Sequence, residues 1–278
     1  MFEELRTKLG IQMDLDLMIR VAGLIFARML GACMQIPFLG GQMIPNQLKT
    51  GIPLIFTAFL YPIISASVNP AHVPAFGIAF FILALKEVFV GYCIGHICAL
   101  PFYAVQMAGS FMDTQRGTTF AQVIAPLMGG QTSLLSQFYL LLFITIFLGL
   151  GGSHLVIGAI GESYRVLPIL NWPKVLDPSA PFVNEAIDLT GAIFTLALQI
   201  SAPVVIAMLL TDATLGIVNR TAPNVQVFWL GMPIKTLGGL VIVFFAIGYA
   251  SDIFAQLTVG MAATLKRTIV LLAGGGAG

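Results

Sequence analysis

GSFMDTQRGTTFAQVIAPLMGGQTS, residues 109–133, separates two long apolar runs in a chain that is 58% hydrophobic. Gly109, Gly117, Gly129, Gly130 and Pro126 weigh against regular helix throughout the stretch. Phe111, Met112, Phe120, Val123, Ile124 and Met128 still leave it apolar enough to pack. Irregular backbone at membrane depth is tolerated only where it is buried in protein or lines an aqueous cavity. The stretch therefore reads either as a compact, displaceable plug or as an ordinary loop outside the membrane. The residues alone leave both readings open.

Working outward, the 278 residues are only 9% charged and have a mean hydropathy of +0.96. A soluble domain carries about a quarter charged residues. Such a chain needs lipid or apolar protein as its surroundings, so an integral membrane or membrane-complex protein is expected. A net charge of +1 gives no case for nucleic acid or an acidic substrate. The three cysteines, Cys33, Cys93 and Cys98, lie in apolar surroundings and read as small apolar filler rather than a disulfide framework. At the N-terminus Arg20 and Arg28 interrupt the apolar run, so an ordered first helix is expected rather than a cleaved signal.

Crossing a bilayer takes about 20 mostly apolar helical residues. Six stretches qualify: 14–38, 48–68, 74–110, 133–163, 184–221 and 231–268, with a flexible tail at 270–278. The fold class is all-α, with kinked hairpins and a Gly/Pro-rich loop between the third and fourth helices. Pro101 and Pro203 fall near the middle of the third and fifth helices, and each removes a hydrogen bond and predicts a kink. Arginine-bearing turns follow, DTQRG at 113–117 and NRTAPN at 219–224, a weak echo between two halves. Strict alternation across a membrane would put six basic residues (Arg6, Lys8, Arg165, Lys174, Lys266, Arg267) on the N-terminal side. Four (Lys49, Arg116, Arg220, Lys235) would lie opposite, a bias too weak to fix a topology.

Arg20, Arg28, Lys86, Glu87, Asp212 and Asp252 lie within or at the edges of the apolar runs. A charge at the bilayer centre costs roughly 3 kcal/mol on insertion scales. These side chains should face protein, water or one another; snorkelling is the plainer alternative, best for Arg20 and Asp212. No enzyme signature stands out. Cys93, His96 and Cys98 do not share a helix face, and LGLGG at 148–152 lacks the lysine of a phosphate-binding loop. No cofactor or metal is expected.

DTQRG, then GIVNRTAPNVQVFWLGMPIK at 216–235, resemble the FliR family of type III secretion export gates and its injectisome relative, SctT. FARMLGACMQIPFLGGQMIPNQLKTGI, ALPFYAVQMAGSFMD and GGSHLVIGAIGESYRVLPI continue the likeness in order, from about residue 20 to 245. The resemblance implies a non-enzymatic core subunit, one copy in a hetero-oligomer with P-type and Q-type subunits. That assembly lies in the bacterial inner membrane, within the basal body of a flagellum or injectisome. Other export-apparatus membrane subunits, membrane lipid and unfolded proteins in transit are the implied contacts. It also implies a P-subunit-like portion over about 1–132, and a remainder over 133–265 with a Q-subunit-like hairpin. The plug falls by similarity on Phe111, Met112, Asp113, Gln115, Arg116, Gly117, Phe120, Ile124, Pro126 and Met128. Asp113 and Arg116 are expected to form a local or intersubunit pair, worth under about 1 kcal/mol if exposed. Arg20, Arg28, Lys86, Glu87, Asp212 and Arg220 become candidate intersubunit charges. Ala125 stands where relatives often carry an acid before the plug proline, and Asn224 where glutamine is usual.

A flagellar member is favoured over an injectisome one, VFWLGMPIK against QRGTT. The alternative from another class is a small-solute or ion transporter with Asp212, Asp252 and the Lys86/Glu87 pair as a charge relay.

Overall fold

The computed structural model describes residues 15–41, 44–66, 68–69, 72–117, 133–174, 181–222 and 226–274, and every regular element among them is a helix. In chain order these are α1 (Leu15–Gln35), α2 (Pro37–Gly40), α3 (Asn46–Ser65) and α4 (Ile78–Gln115). Then come α5 (Leu134–Gly149), α6 (Gly152–Val166), α7 (Pro181–Thr221) and α8 (Val227–Leu272). Among the described residues five helices are long and apolar enough to cross a membrane, or six if the bent α5–α6 pair counts as one span. The expected all-α membrane fold is therefore present.

Local chemistry sets the boundaries. α1 stops because Pro37 forces the preceding Ile36 into an extended conformation, φ −80 and ψ 120. α5 starts at Ser133, whose hydroxyl accepts from the Ser136 N–H at 3.1 Å and caps an orphan donor. Pro101, Pro203 and Pro233 all lie inside continuous helices, where neighbouring elements can absorb the lost bonds.

Two expected boundaries are corrected. The helix expected at 133–163 is two helices meeting at 74°. Gly151 sits at φ 78, the left-handed conformation that ends a helix cheaply only with glycine. The helix expected to stop near 110 continues to Gln115, so Phe111, Met112, Asp113 and Gln115 are helical rather than irregular. Gly109 does not break it, because its bare Cα is used for packing. A Cβ there would run into the backbone of Leu135 and Ser136 on α5. The helix ends at Gly117, φ 76, whose N–H donates to the Thr114 carbonyl.

The chain forms two compact units. The first takes residues 1–98, 156–183 and 265–278, and the second 99–155 and 184–264, so each draws on both sides of the 132/133 division. In the first, α1 packs on α3 and lies backbone to backbone against α4. A Cβ on Gly91 would overlap the Arg28 carbonyl, one on Gly95 the Ala32 carbonyl, and one on Gly31 the Val88 carbonyl. Gly91 and Gly95 form a GxxxG pattern, which lets apolar helices approach where lipid gives no hydrophobic drive. The second unit is built on aromatic side chains. Phe102 lies 4.7 Å from Phe143 and 5.2 Å from Phe147, and Phe254 lies 5.2 Å from Phe143 between ring centroids. These offset and edge contacts add about 0.5–1.5 kcal/mol per pair beyond their burial.

Candidate functional site

Close α1–α4 packing in the first unit brings together charges that lie 59 residues apart in the sequence. Arg28 and Glu87 are both fully buried, with Arg28 Nε donating to Glu87 Oε2 at 2.5 Å. Lys86 Nζ lies 2.6 Å from Glu87 Oε1, an ion-pair distance off the hydrogen-bonding direction. Two cations thus share one carboxylate. Backbone and hydroxyl oxygens from α6 and the residues after it accept further N–H groups of both cations. Arg28 donates to Ser163 Oγ at 3.2 Å and to the Leu167 carbonyl at 2.9 Å. Lys86 donates to the carbonyls of Ile169 and, at 2.9 Å, Asn171. Arg28 also lies 4.2 Å above the Tyr164 ring, a cation–π contact, while the Tyr164 hydroxyl donates to the Ile25 carbonyl at 3.0 Å. The C-terminal end of α6 carries the negative pole of its dipole, which suits the excess positive charge. The cluster ties SYRVLPILN, residues 163–171, to α1 and α4.

Arg28, Lys86 and Glu87, expected to face protein, water or one another, pair with one another within the chain. The glycine contacts bring α1 and α4 close enough for these side chains to meet. Arg20 is likewise held within the first unit. It pairs with Asp16 at 2.9 Å and donates to the carbonyls of Val73 and Pro74 at 3.0 and 3.1 Å. In the second unit Asp212 receives both Lys235 hydrogen bonds, at 2.8 and 2.9 Å, joining α7 to α8. Arg220 is exposed in the last turn of α7. Pro101 and Pro203 lie inside α4 and α7.

The other constellation is the α4–α5 junction. Asp113 Oδ1 accepts from Arg116 Nη1 at 3.0 Å; Oδ2 accepts from the Ser133 hydroxyl at 2.5 Å and from the Leu135 N–H at 2.9 Å. One carboxylate therefore holds the end of α4 and caps the start of α5. The Asp113–Arg116 pair takes the local form. It is also buried, with 7% and 4% of the side chains exposed, so the small value of a surface pair does not apply. Arg116 Nη2 donates to the Thr236 carbonyl of α8 at 3.1 Å, and its stem rests on Gly239. The Ser136 hydroxyl donates to the Gln106 carbonyl at 2.8 Å and closes the junction from the other side. Met112 is buried beside it, and Phe111, Gln115 and Gly117 are half-buried. Phe120, Ile124, Pro126 and Met128 lie outside the described residues.

Sequence reasoning missed Tyr164, Ser163, Ser133 and Gly239. GYCIG at 91–95 was an available signal for the α1–α4 contact that seats Arg28, since a GxxxG pattern places α4 against another helix. His96 stacks on Tyr92 with ring planes 2° apart, and the three cysteines are free, two of them buried. Among the described residues no group of three His, Cys, Asp or Glu side chains converges as a metal site.

A family model described as bacterial export proteins, family 1, matches residues 19–261. The chain belongs to that family. The match takes in α2 to α7 whole and most of α1 and α8, so both charge constellations fall within the family region. This family 1 export protein is 34% identical to flagellar biosynthetic protein FliR of Bacillus subtilis over 214 residues, covering 76% of this chain and 80% of the relative. It is 29% identical to FliR of Caulobacter vibrioides, with 79% and 85% covered. It is also 29% identical to secretion system apparatus protein SsaT of Salmonella typhimurium, with 81% and 86% covered. The FliR resemblance read in DTQRG and the 216–235 run is thereby established.

Proposed function

We propose that this protein is a non-enzymatic core subunit of a type III export gate in the bacterial inner membrane. One copy joins P-type and Q-type subunits in the basal body, and unfolded flagellar proteins pass through the assembly. The P-like portion runs over about 1–132 and the Q-like hairpin lies in the remainder. Relatives named for flagellar biosynthesis and for a secretion apparatus support an export role; the 34% identity to a flagellar member favours that branch, with an injectisome gate as the second reading.

The observation that carries the gating part is the α4–α5 junction. Asp113 ties Arg116 on one side of residues 118–132 to Ser133 and Leu135 on the other. A segment that must close a pore and yet be displaced needs a fixed base, and a shared buried carboxylate supplies one. We assign the plug to residues 111–128, with its helical beginning at Phe111–Gln115 as part of that base. The transporter alternative draws less support: Asp212 is neutralised by Lys235, and Lys86 and Glu87 are buried and paired.

The test is electrical. Glycine replacement within 118–128, in the assembled complex, should leave assembly intact and raise ion conductance across the membrane. Unchanged conductance in that variant would remove the plug assignment.

A further inference from the structure

The α4–α5 junction is attached to a third element whose position it then shares. α8 presents three consecutive contacts within about one helical turn. Lys235 binds Asp212 of α7. The Thr236 carbonyl accepts from Arg116 Nη2 at 3.1 Å. Gly239 lies under the Arg116 stem so closely that a Cβ would meet Cγ and Cδ at 2.6 Å and Nε at 2.8 Å. Arg116 is 4% exposed, and its Nε has no hydrogen-bond partner among the described residues. A buried guanidinium with an idle N–H is costly. The position is held by the two charge-assisted bonds, to Asp113 and Thr236, and by the absence of a side chain at 239.

We infer that the Lys235–Gly239 turn of α8 is a control element for the α4–α5 junction, with Arg116 as the positioning residue that couples them. Arg116 bonds Asp113 while its stem and second nitrogen rest against α8. When α8 shifts, the Thr236 carbonyl and the Gly239 seat shift with it, the guanidinium must follow or let go, and Asp113 loses a partner. Asp212 extends the same linkage to α7 through the neighbouring Lys235. A movement of the α7–α8 hairpin would thus reach the base of residues 118–132 through one side chain. Coupling of this kind changes a two-state ratio by about 5- to 150-fold. The inference rests on the gate reading only for its consequence in conductance, not for the coupling itself.

Adjacent glycines give a matched test. Gly239→Val places a branched side chain where Arg116 lies, whereas Gly238→Val meets nothing within 4 Å. Both make the same change in helix propensity, since valine is a better helix former than glycine. Hydrogen exchange of residues 113–117 and 133–136 is followed in the full chain within its co-purified complex, alongside conductance. Gly239→Val should speed exchange at both segments and Gly238→Val should not. Arg116→Ala should do the same, and adding Gly239→Val to it should change little more. Gly239→Ala serves if the valine variant fails to assemble. Equal exchange in the 238 and 239 variants, or additive effects of Arg116→Ala and Gly239→Val, would overturn the coupling. Faster exchange at 239 without leakage would uphold the coupling and count against the gate reading instead.

Discussion

Arg28 on α1 and Glu87 on α4 meet at 2.5 Å with neither side chain exposed to solvent, in a chain where only 9% of residues are charged. Their meeting depends on Gly91, whose Cα lies against the Arg28 carbonyl. The bond and the glycine form one device: the glycine permits contact, and the charges fix its register.

Removing one member of a buried ion pair leaves the other unpaired in a low-dielectric interior, at a cost of about 3–5 kcal/mol. Glu87→Leu should therefore abolish accumulation of the assembled complex, measured as yield of complex after mild detergent extraction. Arg28→Met, Lys86→Met and Glu87→Leu together should recover much of that yield, because no charge is left stranded. Equal loss in the single and triple variants would mean the charges have a role beyond pairing.

Gly91→Val should be as damaging as loss of Glu87, since the new side chain would enter the α1 backbone. Gly248→Val, where nothing lies within 4 Å, is the control and should assemble. Protease resistance of residues 78–98 distinguishes the two.

Tyr164→Phe keeps the ring above Arg28 and removes one hydrogen bond to the Ile25 carbonyl. The expected loss is about 1 kcal/mol. Tyr164→Ala should cost several times more, because burial and the cation–π contact go as well. A thermal-shift series on the purified complex orders the two.

At the α4–α5 junction, Ser133→Ala deletes the N-cap of α5 and one Asp113 partner, at about 1 kcal/mol. Asp113→Ala should be worse, about 3–5 kcal/mol, since it strands Arg116 in a buried site. Under the gate reading both variants raise conductance in that order.

The helices were legible because apolar runs of spanning length leave few other structures in lipid. Their interruptions were less so. Mean hydropathy is blind to a left-handed glycine, so LGLGG passed as helix interior although Gly151 turns the chain by 74° with its neighbour. Gly109 misled in the opposite sense: it looked like a breaker and is a packing contact. The three-residue spacing of Asp113 and Arg116 announced their pairing, but burial, the link to Thr236 and the shared cap at Leu135 depend on distant elements. The partner of Arg28 was out of reach of any local pattern except the GxxxG at 91–95.

The most direct test is native mass spectrometry of this chain co-expressed with P-type and Q-type export subunits, beside the chain expressed alone. A single copy within a larger hetero-oligomer, and poor recovery of the chain alone, is the expected result. A stable monomer or homodimer that ignores those subunits would contradict the export-gate assignment.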